Sequence, residues 1–63
     1  MKRIVLDIPD DQAEALAQVC KRFLFEDAVR FANRRDGGKE RDAILNGTST
    51  LQRALAEAGF APR

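Results

Sequence analysis

The opening of the chain, KRIVLDI at residues 2–8, constrains it most, because this is a single alternating run and Pro9 closes it. Lys2, Ile4, Leu6 and Ile8 fall on one face, and Arg3, Val5 and Asp7 on the other. A period of two with β-branched residues predicts a strand with one buried face. Proline has no amide proton to give a ladder, so the strand ends at residue 8. The chain offers this strand no partner, and a lone strand leaves its amides and carbonyls unpaired. The expectation is therefore a homodimer in which Ile4, Leu6 and Ile8 form a dimer strand, paired with a second copy about a two-fold axis.

Length points the same way. Sixty-three residues make one small domain, 1–63, and chains of this size bury only about 60% of their unfolded surface. Cys20 is the only cysteine and histidine is absent, so neither an internal disulfide nor a zinc site of the usual kind can staple the fold. No metal and no cofactor are expected. A lone cysteine in an apolar stripe reads as a small core residue in a reducing compartment, which predicts a cytoplasmic protein. The longest apolar runs, Ile4-Val5-Leu6 and Phe23-Leu24-Phe25, are too short for a bilayer, and no signal peptide is expected. The formal net charge is +1, whereas a nucleic-acid-binding domain is usually strongly basic.

The rest of the chain reads as helix. Pro9-Asp10-Asp11 is a helix start, with a fixed φ and two acids at the positive end of the dipole. Ala13, Leu16, Cys20 and Phe23 then keep 3-4-3 spacing, with Val19 beside them, predicting a helix over 10–23. Phe25, Ala28, Val29 and Ala32 share a face in a short helix over 25–34, where Glu26 precedes Arg30 by four residues. A basic loop over 34–39 follows, marked by Gly37-Gly38. Ile44, Thr48, Leu51, Leu55 and Ala58 keep 4-3-4-3 spacing, which suits one helix over 40–58. Against this, Asn46-Gly47 is a breaker pair and Ser49-Thr50-Leu51-Gln52 has the form of a capping box, so two helices remain the alternative. Gly59 can take a left-handed C-cap conformation that lets Phe60 pack back on Leu55, and Pro62 blocks continuation. The fold class is thus α+β and mostly helical: one N-terminal strand, then two or three helices. The expected core is Ile4, Leu6, Ile8, Leu16, Val19, Cys20, Phe23, Ile44, Leu51 and Leu55.

Catalysis has little to work with. Histidine, tyrosine and tryptophan are absent, so neither Cys20 nor Ser49 has a standard base. Asp7, Asp10, Asp11 and Glu14 read as acids dressing a helix N-terminus, and Gly37-Gly38 lacks the spacing of a phosphate-binding loop. No enzymatic activity and no small-molecule substrate are expected. The candidate partner-binding residues are Arg30, Arg34, Arg35, Lys39 and Arg41, clustered around the loop, where arginine suits carboxylate or phosphate equally well.

Two resemblances add to this. The strand, proline and amphipathic helix of residues 2–22 resemble the start of ribbon-helix-helix repressors, in which paired strands enter the major groove. That likeness implies that Arg3, Val5 and Asp7 face bases. Val5 can touch only a thymine methyl, however, and Asp7 brings the wrong sign to a phosphate-rich groove. The place of the family's second turn holds Arg22-Phe23-Leu24-Phe25-Glu26, without glycine or a Ser/Thr cap. Separately, LDIPDDQAEALAQVCKR together with the terminal LQRALAEAGFAPR resembles a family of short uncharacterised bacterial proteins found on phages, prophages and plasmids. This resemblance implies no activity, but it implies a mobile-element setting in which small chains act as repressors, adaptors or inhibitors of host defence of the anti-CRISPR kind. The expected function is that of a non-enzymatic binding protein occupying a macromolecular partner, with protein favoured over DNA. The alternative is a dimeric ribbon-helix-helix-type repressor.

Overall fold

A computed structural model describes residues 1–60. They form three helices, α1 (Asp10–Arg22), α2 (Phe25–Phe31) and α3 (Lys39–Glu57), with no strand among the described residues. The α+β expectation is therefore corrected to a mostly helical fold. Residues 1–9 carry no regular structure, and Ile4 and Leu6 are 81% and 57% exposed. Of the three residues assigned to a dimer strand, only Ile8 touches the core, where it is half-buried. The physical reason is that a strand exists only as part of a ladder, and alternation in one segment supplies no partner backbone. The ribbon-helix-helix resemblance thus lacks its ribbon.

α1 begins where Pro9 turns the chain. Pro9 is extended (ψ 154°), and its carbonyl accepts the N–H groups of Gln12 and Ala13, both at 3.1 Å. Asp10 and Asp11 lie in the first turn and Lys21 and Arg22 in the last, each complementing the helix dipole. Ala13, Ala17 and Cys20 are buried, and Leu16 packs beside them. Val19, expected in this stripe, remains 57% exposed. At about 100° per residue, Ala13, Leu16, Ala17 and Cys20 share one side of the helix and Val19 falls outside that side.

The short helix α2 starts with the Leu24 N–H donating to the Asp27 carboxylate at 2.8 Å. It stops at Phe31, three residues before the position expected from spacing. Ala32 is extended (ψ 156°), and the Asn33 side chain then accepts the Arg35 N–H at 3.0 Å, a local turn that competes with helix.

α3 is a single helix through Asn46-Gly47. The hydroxyls of Thr48 and Thr50 donate back to the carbonyls of Leu45 and Asn46, at 2.9 and 3.0 Å, instead of starting a fresh helix. A Cβ placed on Gly47 would meet nothing within 4 Å, so close packing does not demand the glycine. At the other end Gly59 is left-handed (φ 98°). The Gly59 N–H donates to the Ala56 carbonyl at 3.0 Å and the Phe60 N–H to the Leu55 carbonyl at 2.8 Å, the paired bonds of a Schellman motif. Phe60 packs on the cluster that contains Leu55. Pro62, assigned to block the helix, lies outside the described residues.

Both α1 and α2 lean on α3. The core joins Ala13, Ala17 and Cys20 to Leu55, flanked by Ile8, Leu16, Leu51 and Phe60. Ala28 of α2 is fully covered, while Phe23 and Ile44 are half-buried. The molecule is thin, 37 × 27 × 15 Å, and Val19 of α1 and Phe25 and Phe31 of α2 stay exposed.

Candidate functional site

The loop between α2 and α3 is held by its own side chains. After the Asn33 turn, the Asp36 carboxylate accepts the N–H of Gly38 on Oδ1 at 3.0 Å and that of Glu40 on Oδ2 at 2.9 Å. Asp36 therefore supplies the negative charge that the start of α3 favours. Gly37 and Gly38 are both left-handed (φ 71° and 89°), a conformation that costs other residues about 1–2 kcal/mol. At Gly38 a Cβ would also lie 2.6 Å from Nη2 of Arg41.

On this frame the five candidate binding residues separate. Arg30 belongs to α2, is 71% exposed, and pairs with Asp27 at 3.6 Å. Arg41 is tied into the fold: its guanidinium lies 5.1 Å from the Phe25 ring centroid, and its Nε donates to the Asp42 carboxylate at 3.0 Å. Arg34, Arg35 and Lys39 are exposed and form no ion pair among the described residues. Arg34 and Arg41 line a small pocket of about 190 Å³ with Asn33, Gly38, Val29 and Ala32. Two guanidiniums at one pocket suit a carboxylate, each able to present paired N–H donors.

A second feature was not foreseen from spacing. Between α1 and α2 runs an open groove of about 570 Å³, whose apolar wall includes Ala15, Val19, Phe23 and Phe31. The rings of Phe23 and Phe31 stack with centroids 6.4 Å apart and planes 16° from parallel, yet Phe31 is 65% exposed. Arg22, Asp27 and Arg30 edge the groove. The signal available in sequence was Ala15 and Val19, four apart and off the core stripe of α1.

Cys20 is a buried free thiol. Among the described residues no group of three or more cysteine, aspartate or glutamate side chains is placed to hold a metal ion, and no helix is long and apolar enough to cross a membrane.

The model of one protein family, described only as a family of unknown function, matches residues 1–63. No curated protein and no solved structure matches the chain.

Proposed function

We propose a binding function for this chain, which belongs to the DUF7706 family of unknown function along residues 1–63: it acts without catalysis, by presenting the α2–α3 loop to an acidic protein surface. The observation that carries this reading is the set Arg34, Arg35 and Lys39, three exposed cations without an ion pair among the described residues. They are presented by a backbone already pinned by Asn33 and Asp36. Pinning matters because ordering a loop at the moment of binding costs affinity, and here much of that ordering is in place. Arginine pairs well with carboxylates through its planar fork.

Protein is favoured over nucleic acid for two reasons. The net charge is only +1, whereas DNA affinity rests on neutralising many phosphates. The opening residues, which a ribbon-type repressor would lay in the groove, form no ribbon. The resemblance of both chain ends to short prophage and plasmid proteins supports a mobile-element setting, in which the partner belongs to the host and the outcome is inhibition by occupation.

Affinity capture from host-cell lysate, with and without nuclease, tests this against an Arg34→Glu/Arg35→Glu double variant. Both residues are exposed, so the double variant keeps the fold. The expected result is an acidic protein captured regardless of nuclease, released by rising salt because exposed charges are screened over about 10 Å at 0.1 M, and lost with the double variant. Capture that depends on nucleic acid, or that survives the charge reversal, refutes the reading.

A further inference from the structure

We propose that the groove between α1 and α2 is the face on which a second copy of this chain docks, making a two-fold dimer centred on Val19, Phe23 and Phe31. This inference stands apart from the loop and its partner.

The first argument is area. The chain exposes 5411 Å², whereas a compact monomer of 7.0 kDa exposes about 4,000 Å². Much of the excess of about 1,400 Å² lies on the opening residues, where Met1, Ile4, Val5 and Leu6 are exposed, and the exposed Val19 and Phe31 of α1 and α2 add to it. A stable protein–protein contact needs about 800 Å² from each partner, so one interface of ordinary size fits within the excess. The radius of gyration agrees: it is 12.8 Å, against about 11 Å for a compact domain of this length.

The second argument is where the apolar surface lies. On α1, Ala13, Ala17 and Cys20 face α3, while Ala15 and Val19 line the groove. At about 100° per residue these are different sides of one helix, so α1 carries two apolar faces and the single chain buries only one. α1 and α2 do not pack on each other, and the stacked Phe23 and Phe31 rings sit at the joint. Exposed aromatic rings in a concave apolar surface are the typical centre of a protein interface.

The third argument, which selects a second copy, is charge. A two-fold interface must complement itself, so both signs have to lie around the same apolar centre. Here Arg22 and Arg30 edge the groove together with Asp27, and Arg30 already pairs with Asp27 across one turn at 3.6 Å. A strongly basic partner would meet two arginines at that rim, whereas an inverted copy can set arginine against aspartate twice. A net charge of +1 leaves little repulsion between copies.

The test is the mass in solution of the full chain, by light scattering and sedimentation equilibrium from micromolar to submillimolar concentration. Twice 7.0 kDa is expected, with reversible dissociation on dilution. Val19→Lys and Phe31→Lys should each weaken association roughly thirtyfold or more, the level of a hot-spot residue. Val19 lies outside the core, so Val19→Lys stays readable by helical circular dichroism should Phe31→Lys disturb Phe23. In a one-to-one mixture of isotope-labelled and unlabelled chains, contacts between copies should appear at the Val19 methyls and the Phe31 ring. A monomer at every concentration overturns the proposal, including the case in which residues 4–6 of the same chain fill the groove. So does a dimer that survives Val19→Lys and Phe31→Lys but is lost with Ile4→Lys, since the opening residues would then hold it.

Discussion

Replacing Leu55 with alanine probes how the fold is held together. Leu55 is the one large aliphatic side chain among the described residues that is nearly covered, at 8% exposure, and it joins α3 to Ala13, Ala17 and Cys20 of α1. The substitution removes three carbons, worth about 2.4 kcal/mol at about 0.8 kcal/mol per buried methylene, and it leaves a cavity that adds to the cost. Leu51 and Phe60 border the site, are only half-buried, and can move toward the space, which places the total near the low end of the leucine-to-alanine range, about 3 kcal/mol. A chain of 63 residues has a total stability of about 3–9 kcal/mol, so this one change removes a third of it or all of it. Urea unfolding followed by helical circular dichroism, at a concentration where the wild type is monomeric, should show the midpoint falling by about 2–3 M, given a denaturant slope near 1 kcal/mol/M for a chain this small. A midpoint shift below about 0.5 M would refute the reasoning, because α1 would then be held to α3 by something other than this contact.

Two glycines predict opposite outcomes for the same substitution. Gly47→Ala lies inside α3 with open space around the new methyl and should stabilise by about 1 kcal/mol, seen as a raised thermal midpoint. Gly59→Ala forces a side chain into a left-handed conformation (φ 98°) and should destabilise by about 1–2 kcal/mol. The same melt checks both, and equal signs would show that the helix end is misassigned.

Where spacing alone decides, the fold was legible. The 3-4 periodicity of Ala13, Leu16 and Cys20 and the terminal Gly59-Phe60 pair need only local geometry, and α1 and the end of α3 follow from them. The strand over 2–8 failed because its alternation is a local signal while its existence depends on a partner backbone. Val19 was misplaced for a related reason: it neighbours the core stripe in sequence, but its direction depends on which side α3 occupies. The basic cluster was visible as composition. Its division was not, since the stacking of Arg41 on Phe25 arises only when α2 meets the start of α3, while the pairing of Arg30 with Asp27 is local to one turn of α2. Asp36 went unread as a cap because Gly37 and Gly38 separate it from the helix it serves.

Among the described residues alanine supplies three of the buried positions, Ala13, Ala17 and Ala28, and this shapes how the chain responds to temperature. Heat capacity on unfolding scales with the apolar area newly wetted, and methyl groups wet little. The curve of stability against temperature is therefore expected to be shallow, which calorimetry would read as a small heat-capacity step on unfolding.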